Sequence, residues 1–143
     1  MKFREMSIDD YNQLIKLWQS SSGIKLRDID SFQGFKKYLA RNKGLSFVAV
    51  DKNNNIIGSI MAGHDGKRGY IQKLIVKQNY RKLGIATELL SKCLKALKDE
   101  GIIKSHIFVL SDNEIAKNFW KKRGWQKRTD IEIFSFVNKL NLK

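Results

Sequence analysis

The sequence has few of the residues that build disulfides and metal sites, and it has no long apolar run. Its single cysteine excludes an internal disulfide, and one cysteine with two distant histidines argues against a structural zinc cluster. No window approaches the ~18 apolar residues that a membrane-spanning helix needs. The N-terminal residues include acids and no apolar run, so we identify neither a secretion signal nor a transit peptide. These absences predict a cytoplasmic protein without a bound metal.

Acidic residues are scarce relative to basic ones. The 14 Asp and Glu residues against 28 Lys and Arg give a formal net charge of +14 at pH 7. Such a charge attracts polyanions over long range, whether nucleic acid, an anionic membrane or a phosphorylated cofactor. The lysines are spread along the chain, and they form neither a clustered basic helix nor an RNA motif with interleaved aromatic residues. Nucleic acid is therefore the weakest of the partner hypotheses, and no membrane partner is predicted.

Length and periodicity predict one domain of mixed structure. With 143 residues and 42% hydrophobic content, the chain is long enough for a single core and too short for two, so we expect one domain over residues 1–143. The apolar period switches between two and about three and a half, which indicates an α/β or α+β fold. Strands are predicted at residues 2–6, 45–50, 56–63, 70–76, 105–111 and 131–137. Helices are predicted after a capping box at Ser7, through residues 32–39, from Gly84 to Gly101 and through residues 115–120.

The stretch YRKLGIATELL joins a short basic loop to an amphipathic helix. The preceding strand ends at Val76, so the helix start places unpaired backbone N–H groups and a positive dipole end next to that strand. Gly84 has no Cβ and Ala86 has only a methyl group, so an oxygen-rich group could approach the main chain, while Arg81 and Lys82 add positive charge. The spacing alone fits a plain loop end with solvated charges equally well, because one glycine is a weak signal.

Two motifs in this order resemble the GNAT superfamily of acetyl-CoA-dependent N-acetyltransferases. The first is Arg or Gln, two residues, Gly, one residue and then Gly or Ala, and it occurs here as Arg81, Gly84 and Ala86. The second is Asn-x-x-Ala with an aromatic residue seven positions after the Asn and a Gly-aromatic pair beyond. Its positions are occupied by Asn113, Ala116, Trp120, Gly124 and Trp125. Two motifs at the usual separation are more specific than either alone, and the resemblance covers residues 71–125.

The resemblance implies a fold and a reaction. The fold would be a mixed, mostly antiparallel central sheet of roughly six to seven strands flanked by about four helices. The reaction would transfer an acetyl group from acetyl-CoA to a primary amine of a small molecule or peptide, by direct attack within a ternary complex. Dimers are common in the resembled family, so a homodimer stays open.

The resemblance also implies which residues bind acetyl-CoA. The backbone of Leu74, Ile75 and Val76 would pair with the pantetheine arm as an added strand. Asn113 would hydrogen-bond the pantetheine chain, and the helix face with Trp120 would wall off the thioester. The pyrophosphate would lie on the loop and helix start formed by Arg81, Lys82, Leu83, Gly84, Ile85, Ala86 and Thr87. A second interpretation of Asn113 is structural, because Ser111 and Glu114 form a plausible capping box across it.

The sequence departs from the family pattern at the catalytic groups. Where the family commonly has Val-x-Pro before the loop, this chain has Val76-Lys77-Gln78 and no proline anywhere, which should loosen the loop. Trp120 stands where a tyrosine is usually assigned as general acid, and an indole cannot give up a proton in that way. The predicted strands at residues 70–76 and 105–111 contain no carboxylate that could act as a base. Catalytic residues therefore stay unassigned, and a catalytically idle acyl-CoA-binding module is the alternative.

Deprotonation of the acceptor is the harder chemical problem. A thiol with a pKa near ~8.5 leaves tolerably well without an acid. An alkylamine with a pKa near ~10.4 costs roughly 4.6 kcal/mol to deprotonate at pH 7, whereas an α-amino group near ~8 costs about 1.4 kcal/mol. A low-pKa amine or a water-relayed base is therefore easier to accommodate.

Other polar and reactive residues favour structural interpretations. Cys93 lies on the apolar face of its helix, so burial is expected and not nucleophilic chemistry. His64 and His106 are isolated in sequence, which favours structural or surface roles over catalysis. Asp65 precedes a glycine in a strong hairpin signal, so we interpret it as a turn residue and not as a base.

Aromatic and acidic groups near the two ends of the chain also have two interpretations. The stripe of Phe119, Trp120 and Trp125 fits ordinary core as well as a cofactor wall. Four acids fall in segments that should flank the acceptor side, where they are either solvated or favourable to a cationic acceptor. They are Asp28, Asp30, Asp130 and Glu132.

Overall fold

The computed structural model describes residues 1–21 and 30–138. The chain divides into two units, Met1–Phe108 and Val109–Lys143, and the expectation of one domain over residues 1–143 stays a prediction. The strands of the first unit are β1 (Lys2–Glu5), β2 (Phe47–Val50), β3 (Ile56–His64), β4 (Gly69–Val76) and β5 (Ser105–Ile107). Its helices are α1 (Tyr11–Gln19), α2 (Phe32–Arg41) and α3 (Ile85–Asp99), and the second unit contains α4 (Glu114–Lys122).

The strands form one sheet in the order β1-β2-β3-β4-β5. β1 to β4 are antiparallel neighbours, and β5 joins β4 in parallel. This mixed, mostly antiparallel sheet with helices confirms the predicted fold class. Within the described residues it has five strands, so the expectation of six to seven was too high.

The helix α3 packs closely on β3 and β4. Gly58 of β3 makes this approach possible, because a Cβ at that position would lie 3.2 Å from side-chain carbons of Ile85 and Leu89. Gly58 is also the residue of β3 that pairs with Val76, the last residue of β4. The packing therefore fixes the start of α3 beside the end of β4.

The helices α1 and α2 cover the opposite face of the sheet. Trp18 of α1 is fully buried against Phe35 of α2, and its Nε1 donates to the hydroxyl of Ser59 on β3 at 3.0 Å. The predicted capping box before α1 is confirmed, since Asp10 accepts from the backbone N–H of Ser7 at 2.8 Å. Within the described residues of the first unit, α3 thus lies on one face of the sheet and α1 and α2 lie on the other.

A β-bulge interrupts the ladder between β3 and β4. Ser59 pairs with Ile75 and Met61 pairs with Gln72, so two residues of β4 face one residue of β3. One of the two, Lys73, has a left-handed backbone conformation with φ of 56°. The hydroxyl of Ser59 donates to the carbonyl of Lys73 at 2.7 Å, and this bond holds the bulged residue in place.

The predictions for the C-terminal part need correction. The predicted strand at residues 131–137 was wrong, because no strand occurs in the described residues 131–138. Its alternation breaks where Ile133 meets Phe134, so a strand there would need both faces covered, yet those side chains are 65% and 91% exposed. The strand predicted at 105–111 is also shorter than expected and ends at Ile107.

The hairpin between β3 and β4 follows its sequence signal. Asp65 accepts from the backbone N–H groups of Lys67 and Arg68 at 2.9 and 2.8 Å, and these bonds lower the pKa of its carboxyl. Its interpretation as a turn residue is confirmed.

No helix in the described part of the chain is both long and apolar enough to cross a membrane.

Candidate functional site

The second half of β4 has one open edge. β5 pairs with Gly69, Tyr70 and Ile71 only, so residues 72–76 have no strand on that side among the described residues. The N–H of Lys77 donates to the carbonyl of Ile57 on β3 at 2.8 Å. The backbone groups one residue earlier, at Val76, must therefore point away from β3, as must those at Leu74. An extended chain could pair with this edge.

The loop that follows β4 curls in front of α3. After a 3-10 turn at Gln78–Tyr80, the Nε of Arg81 turns back and donates to the carbonyl of Val76 at 2.9 Å. Lys82 and Gly84 have left-handed backbones with φ of 64° and 82°, and Gly84 is the N-cap of α3. A Cβ built on Gly84 would have nothing within 4 Å. The loop therefore leaves open space in front of the helix.

This space has the charge that an anion requires. The first N–H groups of an α-helix have no acceptor within the helix, and the dipole of a 15-residue helix such as α3 adds partial positive charge at its start. The exposed side chains of Arg81 and Lys82 add two full positive charges beside it. Such an arrangement binds phosphate groups.

In the second unit, Asn113 is the N-cap of α4. Its Oδ1 accepts from the backbone N–H of Ala116 at 3.0 Å. The proposed capping box from Ser111 to Glu114 was wrong, because the amide of Asn113 makes the cap itself and Glu114 instead pairs with Lys117 at 3.0 Å. The structural interpretation of Asn113 thus holds through a different bond.

Trp120 is the buried aromatic residue of α4. Its ring lies 5.1 Å from that of Phe119 and 4.6 Å from that of Trp125, measured between ring centroids. The prediction that this aromatic stripe forms core is confirmed for Trp120. Of the predicted cofactor residues, those at 74–76 and 81–87 lie together at the end of β4 and the start of α3, whereas Asn113 and Trp120 belong to the second unit.

Two cavities lie on the face of the sheet that carries α1 and α2. The larger one, about 260 Å³, is lined by Tyr70, Ile71, Gln72, His106 and Phe108, at the point where β5 leaves β4. The smaller one, about 40 Å³, shares Gln72 and lies among Trp18, Asp30 and Tyr38. Burial raises the pKa of the Tyr38 hydroxyl, and a hydrogen bond with Gln72 acts against that rise. Sequence reasoning expected the acceptor near the first two helices and the hairpins, but it did not identify Tyr70, Gln72 and Phe108 as lining residues, although alternate residues of a strand share one face.

One acid of the predicted acceptor side is not solvated. Asp30 pairs with Lys73 at 3.3 Å, and the two side chains are only 14% and 13% exposed. The ammonium group of Lys73 also lies 5.4 Å from the centre of the Trp18 ring. Asp130 and Glu132 are exposed, with Asp130 bonded to Arg128, and Asp28 falls outside the described residues.

The residues predicted to be structural mostly are. Cys93 is buried, its Sγ donates to the carbonyl of Leu45 at 3.3 Å, and burial raises the pKa of its thiol to about 12. His64 uses both ring nitrogens, because Nδ1 accepts from Gly66 N–H at 3.0 Å and Nε2 lies 2.9 Å from a carboxylate oxygen of Glu100. Both predictions are confirmed.

Comparisons with known proteins show the family and the fold. The sequence model of the acetyltransferase (GNAT) family matches residues 10–125. A curated acetyltransferase of Yersinia pestis is 30% identical over 133 residues, which cover 93% of each chain. A GNAT-family acetyltransferase structure from Staphylococcus aureus Mu50 superposes with a TM-score of 0.80 at 19% identity, covering 99% of this chain and 92% of that one. A predicted acetyltransferase from Clostridium acetobutylicum, solved with acetyl-CoA, gives 0.75 at 22% identity, covering 94% and 95%.

Proposed function

The chain belongs to the acetyltransferase (GNAT) family, and on that premise we propose that it transfers an acetyl group from acetyl-CoA to a primary amine. The observation that carries the proposal is the open space in front of α3, bounded by the left-handed residues Lys82 and Gly84. The pyrophosphate would accept hydrogen bonds from the backbone of residues 81–87 there, including Leu83, Ile85, Ala86 and Thr87. The acetyl-CoA in the Clostridium structure supports the choice of cosubstrate.

The pantetheine arm would pair with the open edge of β4. Alternation along the strand directs the backbone of Leu74 and Val76 to that edge, while Ile75, between them, faces β3 and buries its side chain. The N–H groups at this edge are also suitable donors to the oxygen that becomes negative when the thioester is attacked. As the family resemblance implies, we propose that Asn113 hydrogen-bonds the pantetheine chain and that Trp120 shields the thioester.

The proposed reaction is direct attack in a ternary complex. The neutral amine attacks the thioester carbon, the C–N bond forms, and the C–S bond breaks with its electron pair on sulfur. Coenzyme A leaves as a thiolate, which a pKa near ~8.5 permits without a general acid. The absence of the usual tyrosine at Trp120 should therefore slow the enzyme and not silence it.

A pair of glycine variants tests the proposal. Gly84 and Gly101 lie at opposite ends of α3 and have φ of 82° and 84°, and a Cβ added to either would have no atom within 4 Å. Each Gly→Glu change costs about 1–2 kcal/mol of backbone strain. Gly84→Glu alone places a carboxylate where the pyrophosphate would lie, so it should abolish the thermal stabilisation that saturating acetyl-CoA gives the wild type.

The Gly101→Glu variant should keep that stabilisation. If neither the wild type nor Gly101→Glu is stabilised by acetyl-CoA, the proposed cosubstrate is wrong. If Gly84→Glu retains binding, the assignment of the pyrophosphate site is wrong.

Trp120 favours one alternative, a catalytically idle acyl-CoA-binding module, because its buried indole has no acidic hydroxyl group. The two functions differ in turnover. Sustained thiol release from acetyl-CoA across a panel of amines would exclude the idle module, and binding without release would support it.

A further inference from the structure

His106 differs from the other histidine of the chain in what its ring contacts. Both ring nitrogens of His64 have hydrogen-bond partners, Nδ1 with Gly66 in the hairpin and Nε2 with Glu100 at the end of α3. Within Met1–Phe108, by contrast, no described residue hydrogen-bonds to the ring of His106, whose closest ring neighbour is Tyr70 at 5.8 Å. His106 therefore presents an imidazole to the larger cavity, where it can exchange a proton with a bound molecule.

The position of His106 connects the cavity with the proposed thioester site. His106 pairs with Tyr70, one residue before β5 makes its last pairing with β4 at Ile71. The open edge of β4 begins at the next residue, Gln72, which lines both cavities. An acceptor bound in the larger cavity would therefore lie beside the strand that is proposed to hold the thioester.

The lining of the cavity restricts the kind of acceptor. Tyr70 and Phe108 contribute aromatic side chains to its lining, and Gln72 and His106 contribute polar ones. Among the described residues, the lining includes no carboxylate for a second ammonium group and no lysine or arginine for a carboxylate. The nearby carboxylate of Asp30 already pairs with Lys73. At about 260 Å³, the cavity suits a small molecule.

We propose that this cavity is the acceptor site, that it takes a primary amine with one positive charge and an aromatic or apolar body, and that His106 removes the proton from that amine. The inference rests on the proposed acetyl transfer. The ammonium gives one proton to the imidazole, which becomes imidazolium and returns the proton to solvent. The neutral nitrogen then attacks the thioester carbon, the sulfur leaves with the bonding pair, and the second N–H proton is lost to the thiolate as the amide forms.

Other titratable groups around His106 do not take over this role. Tyr70 faces it from β4, and Lys104 precedes it on the approach to β5. Beyond Gln72 lie the hydroxyl of Tyr38 on α2 and the ion pair of Asp30 with Lys73. Imidazole is the side-chain type that most often acts as a general base at neutral pH, so we assign that role to His106 and not to a phenol or an alkylamine.

The first test compares the two histidines. His106→Ala should lower kcat/KM at pH 7 by about 100-fold, the scale of general base catalysis, with unchanged stabilisation by acetyl-CoA. The loss should shrink as pH rises towards the amine pKa, because the neutral amine then needs no base. Added imidazole should restore part of the rate, since the variant leaves room for it. His64→Ala should keep wild-type kcat/KM and show no response to imidazole.

The second test compares matched amines on the wild type. 2-Phenylethylamine should exceed phenylalanine in kcat/KM by about tenfold, because the described lining offers aromatic side chains to the phenyl ring and no lysine or arginine to the carboxylate. The α-amino group of phenylalanine has the lower pKa and is easier to deprotonate, so amine basicity alone would favour phenylalanine. A preference for 2-phenylethylamine would therefore come from the cavity. Butylamine should exceed 1,4-diaminobutane in kcat/KM, because the described lining has no carboxylate for the second ammonium group.

Each outcome bears on a separate part of the inference. If the wild type acetylates other primary amines of the panel but none of these, the inference fails and the proposed function stands; if it binds acetyl-CoA but acetylates no amine of the panel, both fail. If the wild type is active and His106→Ala matches His64→Ala, only the role of His106 fails. A loss that is independent of pH and not rescued by imidazole indicates a structural role and also overturns it. If His106→Ala does not fold, His106→Gln takes its place in the pH profile. A preference for phenylalanine or 1,4-diaminobutane overturns the acceptor class.

Discussion

The two halves of β4 share one neighbour and differ in the other. In the first half, Gly69, Tyr70 and Ile71 lie between β3 and β5, so a partner strand faces each backbone group. In the second half, residues 72–76 have β3 on one side and no described strand on the other. One strand thus contains a segment that anchors the sheet and a segment whose hydrogen-bonding capacity is available to a ligand.

In the first half of β4 the backbone ladder holds the strand in place, and in the second half side-chain hydrogen bonds do so. The carbonyl of Val76 accepts from Arg81, and the carbonyl of Lys73 accepts from Ser59. Ser59 is fixed in turn by the indole of Trp18. Contacts from the loop, from β3 and from α1 therefore hold the open segment in one conformation.

The largest expected contrast comes from proline in each half. Ile71→Pro should destabilise the fold by at least about 4 kcal/mol. It removes an N–H, which leaves the carbonyl that pairs with it in the ladder without a donor, and it removes a buried side chain. Val76→Pro removes an N–H that the sheet does not use, so it should cost less stability but weaken acetyl-CoA binding by about tenfold. Urea denaturation and calorimetric titration measure the two effects.

Val76→Ala is the control for this pair, because it shortens the same side chain and keeps the N–H. It should match Val76→Pro in stability and the wild type in acetyl-CoA affinity. Equal affinity of Val76→Pro and Val76→Ala would show that the ligand does not pair with this edge.

The bulge that separates the two halves gives the next largest effect. Ser59→Ala leaves both the indole N–H of Trp18 and the carbonyl of Lys73 without their buried partner, so it should cost about 3 kcal/mol. Ser46→Ala is the matched control, since this equally buried serine accepts a single bond, from Ala62 N–H at 3.2 Å. It should cost about 1 kcal/mol.

Activity distinguishes packing from positioning at the bulge. If the bulge positions the open edge, Ser59→Ala should also lower kcat, whereas Ser46→Ala should not. Equal kcat for the two variants in the folded state would mean that the bulge serves stability alone.

The first half of β4 and the loop after it were predictable from sequence for a physical reason. Hydrophobic period, the Asp-Gly turn and the helix start at Gly84 are local signals, and they gave the correct order of elements up to β5. The resemblance in the loop depends on Arg81, Gly84 and Ala86, whose spacing is visible without a structure.

The open edge and its surroundings were not predictable in the same way. The bulge at Lys73 depends on register, and Asp30 and Lys73 are distant in sequence. The bond from Arg81 to Val76 depends on how the loop between them turns back. An apolar run such as residues 131–137 also carries no information on whether a partner strand exists. His106 looked isolated for the same reason, because its cavity is built by β4, more than thirty residues earlier.

The smallest effect is expected on the face of the sheet that α3 covers, away from the open edge. With a pKa raised to about 12, the Cys93 thiol is ionised in about one molecule in ten thousand at pH 8, so a thiol reagent of the Ellman type should not label the native protein. Unfolding in urea should expose one thiol per chain, which is its only cysteine. The same reagent can therefore follow release of coenzyme A without interference. Rapid labelling of the native protein that acetyl-CoA does not slow would show that α3 separates from the sheet. The packing of α3 on β4 would then not be rigid.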